Sequence, residues 1–145
     1  MKALLQRVSE AEVLVDGRCV GSIDRGLLVL LGLDKGDDQG CAERMLDKIL
    51  AYRVFPDDGG RMNASVTDTG GGVLLVSQFT LSADTRRGLR PSFSSALPPA
   101  QAEQLYEFTL QRLRSRHPDV AAGVFGADMQ VSLTNDGPVT FLLET

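Results

Sequence analysis

The run Gly26-Leu27-Leu28-Val29-Leu30-Leu31-Gly32-Leu33 is almost continuously apolar and bounded by glycines. Side chains of a strand alternate between its two faces, so such a run fits a strand covered on both, central in its sheet. Val73-Leu74-Leu75-Val76 is a second segment of the same kind. A chain with two such strands has to surround them, and the remaining residues supply the cover. Segments 2–8 and 11–15 are rich in Leu and Val, and Asp16-Gly17 turns the chain into 18–23 as a hairpin. Met129, Val131 and Leu133 alternate with polar residues as a half-exposed strand, and Asn135-Asp136-Gly137-Pro138 separates it from a last strand, Val139 to Leu143.

Two segments read as helices. After Asp37-Asp38, apolar residues at Cys41, Met45, Ile49 and Tyr52, with Leu46 and Leu50 beside them, follow helical spacing. Pro98-Pro99 opens a second helix with Ala102, Leu105, Tyr106, Thr109, Leu110 and Leu113 on its inner side, ended by Pro118. Residues 56–72, with Asp57-Asp58-Gly59-Gly60 and Gly70-Gly71-Gly72, read mostly as turn and loop. At 145 residues and 43% hydrophobic the chain suffices for one domain and not for two. The opening MKALLQRVSEAEVLV has no basic segment followed by an apolar one, and no later run nears the ~20 apolar residues of a spanning helix. The expectation is a cytoplasmic protein with no membrane partner. Cys19 and Cys41 lie in unrelated contexts and read as buried or half-exposed free thiols.

A net charge of −4 and a pI near 4.9 argue against a broad basic face for nucleic acid, so any RNA is expected to be touched locally and no DNA partner is expected. Positive charge is nonetheless clustered. Arg86, Arg87 and Arg90 fall close together, and Arg112, Arg114 and Arg116 close the second helix. Phosphate contact and an ordinary solvated face explain both groups equally well at this level.

The usual catalytic sets are missing. The single histidine, His117, stands at a helix end before a proline and is expected to be solvent-exposed rather than part of a triad. One histidine and two isolated cysteines supply no zinc site, and Gly70-Gly71-Gly72 precedes a strand rather than a phosphate-binding helix, so neither a metal nor a cofactor is expected. What remains is Ser77-Gln78-Phe79-Thr80, a polar cluster where a buried strand ends. Its hydroxyls suit a nucleophile or orienting donors, and its main-chain N–H groups suit an oxyanion hole for ester cleavage. An ordinary strand end whose hydroxyls serve neighbouring backbone is the alternative. Gly137-Pro138 reads locally as a trans turn, since few X-Pro bonds are cis.

Ser77-Gln78-Phe79-Thr80-Leu81 and Asn135-Asp136-Gly137-Pro138-Val139-Thr140 resemble the two signature motifs of D-aminoacyl-tRNA deacylases. The likeness extends through LLQRVSEAEVLVDG, KILAYRVFPDDGGRMNASV, GLRPSFSSALPP and GVFGADMQVSLTNDGPVT, in order, and so covers essentially the whole chain. One position departs: Ala122 stands where many members have threonine. The resemblance implies an α+β fold, mostly antiparallel β-sheets forming a barrel-like core with two main helices, in one domain that works as a homodimer. It implies that Ser77, Gln78, Phe79 and Thr80 line the pocket for the terminal adenosine of aminoacyl-tRNA and its aminoacyl group. It further implies that Gly137-Pro138 is cis and reaches into the partner subunit's active site, rejecting L side chains while D-amino acids and glycine pass. A wall of backbone suits that task, because a soft apolar pocket discriminates a methylene by only ~1–3 kcal/mol. Catalysis is implied to use the tRNA's own 2′-hydroxyl, with backbone N–H groups near Gln78 and Phe79 as oxyanion donors; Thr80 as an acyl-enzyme nucleophile is the older alternative. Arg7 is a candidate support for the Gly-Pro loop, or a strand arginine in an ion pair. Phe125 and Met129 are candidates for pocket wall or for core.

Overall fold

Strand β1 (Lys2–Val15) carries neighbours along both of its edges in the computed structural model, which describes residues 1–145. Asp16 and Gly17, both at positive φ (49° and 76°), turn the chain into β2 (Arg18–Ile23), as a tight two-residue hairpin requires. After Asp24-Arg25 the chain continues into β3 (Gly26–Gly32), also antiparallel to β1, with pairs from Val8↔Gly26 to Lys2↔Gly32. β2 and β3 therefore lie end to end along one edge of β1. Two short strands follow the first helix, β4 (Phe55–Pro56) and β5 (Met62–Ala64), and then β6 (Gly72–Ser77) pairs parallel to β3. β7 (Val120–Ala122) pairs parallel to β6. β8 (Gln130–Glu144) covers the other edge of β1, antiparallel, from Leu14↔Gln130 to Lys2↔Glu144.

The sheet curls until its edges nearly meet. A Cβ on Gly21 in β2 would lie 2.5 Å from the Ala122 carbonyl oxygen in β7, so only glycine permits that approach. The result is a nearly closed, barrel-like sheet in one α+β domain. Its long pairings are antiparallel, as expected, while the two central ones are parallel and need crossovers. α1 (Gln39–Ala51), with α2 (Val66–Thr69), lies in the first, and α3 (Pro99–Arg116) in the second.

The glycine-bounded run is buried on both faces. Leu27, Val29 and Leu31 of β3, with Val73 and Leu75 of β6, join the core under the helices, against Met45, Leu46 and Ile49 of α1 and Leu105, Leu110 and Leu113 of α3. Leu28, Leu74 and Val76 point into the barrel with Val8, Ala11, Val13 and Ile23. β1 changes faces along its length: Ala3 and Leu5 belong to the first core, Ala11 and Val13 to the second. Val8 already faces the second core, so the switch falls between Val8 and Glu10, where the pairing with β8 shifts and β1 carries one extra residue.

Three local readings change. Residues 56–72 include a small two-stranded ribbon and the one-turn α2, which is set by a capping box in which Ser65 and Asp68 exchange side-chain and main-chain bonds. Cys19 is exposed rather than buried; Cys41 is half-buried. The two strands expected around Gly137-Pro138 are one strand, β8, that loses its ladder locally. Pairing runs from Val8↔Asn135 to Gln6↔Thr140, so residues 136–139 stand opposite Arg7 alone and bulge outward.

Candidate active site

β6 ends at Ser77, and the chain then folds into a 3₁₀ turn, Phe79–Ser82. The apolar strand stays buried through Val76 because both faces are covered; where the cover ends, the polar cluster emerges. Ser77 and Gln78 are half-buried, and Phe79 and Thr80 are exposed. Beside them opens a cleft of about 560 Å³ lined by Ser77, Gln78 and Phe79, by Leu31 of β3 and Leu33 and Lys35 after it, by Phe93 and residues 96–99, by Ala102 of α3, and by Phe125 and Gly126. The far wall, 93–99, is strapped to the β3 end: Leu97 N donates to Leu33 O and Lys35 N to Ser95 O, each at 2.9 Å. Ser95 Oγ also donates to Ser82 O.

Within the cluster the Gln78 side-chain amide donates to Thr80 Oγ1. Gln78 N–H is taken, donating to Leu31 O at 2.8 Å, so it is not an oxyanion donor as expected. The turn's first N–H groups, those of Phe79 and Thr80, have no partner inside it, because its first internal bond runs from Leu81 N to Gln78 O. Phe79, 62% exposed, stacks at a tilt on Phe93 with ring centroids 5.0 Å apart. This aromatic pair at the mouth was not singled out by sequence reasoning, although Phe93 lies within the segment GLRPSFSSALPP.

Phe125 lines the cleft and leans on Tyr106, centroids 5.7 Å apart. Met129 does not reach it; its sulfur sits against Gly123. His117 corrects an expectation. It is only 3% exposed, with Nε2 2.7 Å from Gly71 O, because the chain after α3 turns inward to begin β7. Gly71 lies six residues before Ser77, so along β6 this histidine is roughly 20 Å from the cluster. No group of three His, Cys, Asp or Glu side chains is placed to hold a metal ion.

Gly137-Pro138 lies elsewhere in the chain. The bond is cis, both residues are exposed, and neither lines the cleft of its own chain. Asn135 closes the neck of the bulge: its Nδ2 donates to Val139 O (3.2 Å) and Thr140 Oγ1 (3.0 Å), and its Oδ1 accepts from Val139 N (2.7 Å). Arg7 holds the base, donating from Nε to Asp136 O at 2.9 Å and from a terminal nitrogen to Val54 O at 2.7 Å. Asn135 lies inside the second motif, and only the structure shows its clamping geometry.

Residues 4–144 match the family model described as D-Tyr-tRNA(Tyr) deacylase. The chain belongs to the D-aminoacyl-tRNA deacylase family. A D-aminoacyl-tRNA deacylase of Stutzerimonas stutzeri is 63% identical over 145 residues, and one of Pseudomonas aeruginosa 64%, each alignment covering all of both chains. Among solved structures, a c-Myc DNA unwinding element binding protein superposes with a TM-score of 0.96 at 44% identity, covering 100% of this chain and 99% of that one. A probable eukaryotic D-amino acid tRNA deacylase gives 0.80 at 16% identity over 98% and 97%, a likeness of fold. The chain is accordingly a carboxylic ester hydrolase of translation quality control, with aminoacyl-tRNA as its substrate.

Proposed function

We propose that the cleft binds the 3′-terminal adenosine of tRNA with its aminoacyl group, that the Phe79–Phe93 pair stacks on the adenine, and that Ser77, Gln78 and Thr80 border the ester. The observation that carries this reading is the union, at the end of one buried strand, of an apolar cleft, an exposed aromatic platform and N–H groups without a partner in their turn. Aromatic faces hold bases by stacking, worth about 1–3 kcal/mol per base. The N–H groups of Phe79 and Thr80 are suited to the developing oxyanion. Water attacks the ester carbon and the 3′-oxygen leaves with a proton, both assisted by the tRNA's own 2′-hydroxyl, and the protein contributes position and charge stabilisation rather than a covalent intermediate. Support comes from the cluster itself: Thr80 Oγ1 accepts from Gln78, and the one histidine is buried at the other end of β6.

Discrimination falls to Gly137-Pro138 of a second subunit, in a cytoplasmic homodimer. The loop is exposed, clamped by Arg7 and Asn135, and apart from its own cleft, as an element delivered to a partner would be. Its fixed backbone excludes an L side chain; a D side chain points away, and glycine, including glycine mischarged on tRNA(Ala), has none to reject. The neighbour named for a DNA unwinding element raises a second reading, binding of nucleic acid without chemistry. The net charge of −4 weighs against it. Side-by-side deacylation of D-tyrosyl-, L-tyrosyl- and glycyl-tRNA decides: the D and glycyl esters are expected to disappear while the L ester survives. Equal turnover of D and L would remove the filter, and no turnover of any would favour the binding module.

A further inference from the structure

The acidic total of this chain conceals two groups of arginines in opposite circumstances. At the end of α3, Arg112 is bonded to Glu43, and Arg116 to Glu43 at 3.3 Å and to Asp47. These pairs fasten α3 to α1 and engage both guanidinium groups, while Arg114 between them is exposed and unpaired but stands on the helix rather than at the rim of the cleft.

The second group stands on an arm. Asp84 and Ser92 exchange two backbone bonds, Asp84 N to Ser92 O at 2.7 Å and Ser92 N to Asp84 O at 3.1 Å, closing a loop with Gly88 in the left-handed region (φ 69°). Arg86 folds back on the arm's one acid, donating to both Asp84 oxygens at 2.9 and 2.8 Å. Those bonds, with one from the Arg86 main chain, hold the Asp84 carboxyl far below the usual carboxylate range, so the pair stays neutral in sum. Arg87 and Arg90 are exposed and make no ion pair or hydrogen bond within the chain, and Leu89 between them is entirely exposed. The arm thus presents two unpaired cations.

It grows from the rim of the cleft. Asp84 follows the 3₁₀ turn by two residues, and Ser92 precedes Phe93 of the aromatic pair. From the Asp84–Ser92 bridge to Gly88 is four residues, a reach of about 13 Å if extended. Lys35 in the cleft wall adds a third positive charge on the same approach.

The geometry points to the arm 84–92 as the docking surface for the phosphodiester strand that leads into the cleft, with Arg87 and Arg90 meeting phosphates of the nucleotides before the terminal adenosine. This rests on the reading of the cleft as the aminoacyl-adenosine site and adds where the rest of the RNA strand lies. In a chain of net charge −4 no broad field gathers tRNA, so unpaired local cations have to hold it.

The test compares two substrates, D-tyrosyl-tRNA and D-tyrosyl-adenosine, which lacks phosphates. Arg87→Ala/Arg90→Ala is expected to raise KM for D-tyrosyl-tRNA roughly tenfold at unchanged kcat. Its log–log salt dependence should flatten by about 1.4, at ~0.7 for each single-strand phosphate that the variant no longer neutralises. Turnover of D-tyrosyl-adenosine should stay at the wild-type level. Arg112→Ala/Arg116→Ala, which breaks the α1–α3 pairs, should lower the melting temperature and leave KM and salt slope alone. An unchanged KM and slope in the arm variant would overturn the proposal. So would an equal loss on both substrates, or dissociation of the variant's assembly on sedimentation, which would make the arm a subunit contact. A wild-type protein inert on both substrates would bring down the cleft reading itself, a result separable from these.

Discussion

Arg7 and Asp136, 129 positions apart, are joined twice: Arg7 Nε donates to the Asp136 carbonyl at 2.9 Å and lies 3.5 Å from its carboxylate. The same side chain, 11% exposed, donates to Val54 O at 2.7 Å, so one planar group ties β1, the end of α1's connection and the Gly137-Pro138 bulge together. A lysine has one point of donation where the guanidinium has a fork. Arg7→Lys is therefore expected to cost about 1–3 kcal/mol in stability, from a polar group left unpaired, and to relax the preference for D over L esters as the bulge loosens. Thermal melting and paired D- and L-tyrosyl-tRNA assays check both; a variant with wild-type selectivity would separate Arg7 from the filter.

Gly137 has φ 153°, and a Cβ there would meet Val139 Cγ2 at 2.6 Å and Val139 N at 2.7 Å. No rotamer relieves a clash with main-chain nitrogen, so Gly137→Ala has to displace the bulge. The site is exposed and the sheet continues on either side, so the fold should survive with a loss of more than about 1 kcal/mol. Activity on D-tyrosyl-tRNA should fall on the order of a hundredfold, as a displacement near 1 Å does elsewhere. Wild-type kinetics in this variant would show that the loop's position does not matter.

The sheet was legible because its central strands carry their own signal: Leu27 to Leu31 and Val73 to Val76 are short, β-rich apolar runs bounded by glycine or polar residues, and the structure divides their side chains between two cores. The two long helices were legible from spacing, down to all six inward residues of α3, while the one-turn α2 was not. His117 was misread because a helix end before a proline says nothing about which way the following chain turns. The bulge was read as a gap between strands, since the clamp by Asn135 and Arg7 depends on bonds across β1 that no local pattern records. Long-range pairing likewise set Arg112 and Arg116 apart from the arginines of the arm: Glu43 and Asp47 lie about 70 positions from the arginines they neutralise.

Tyr106 is buried between α3 and the sheet, its hydroxyl donating to Leu75 O at 3.0 Å. Burial, with a smaller push from Glu107, raises its phenol well above the ordinary value. A group whose pKa is higher folded than unfolded contributes stability that is whole below the unfolded value, near 10, and is lost as pH rises beyond it. Melting curves from pH 8 to 11 should show stability declining past about pH 10. Tyr106→Phe should lower stability at pH 8 by about 1 kcal/mol, the worth of the hydrogen bond, and flatten that decline. A variant with the same alkaline slope as the wild type would assign the slope to other groups.

Thr80 distinguishes the two ways of cutting the ester. Its hydroxyl accepts from Gln78, and no carboxylate, histidine or lysine side chain is bonded to it, so nothing in the protein is placed to take its proton. Removing a true nucleophile costs on the order of 10⁴–10⁶ in kcat. Thr80→Ala is expected to lose less than about tenfold, since the N–H of Thr80 proposed as an oxyanion donor belongs to the backbone and survives the substitution. The complementary loss should come from the RNA. With the 2′-hydroxyl as the acid–base group, a substrate ending in 2′-deoxyadenosine should be hydrolysed at least a hundredfold more slowly, the usual worth of such a group. Single-turnover rates for both enzymes on both substrates complete the test. Full activity on the deoxy substrate together with a dead Thr80→Ala protein would return the chemistry to the side chain.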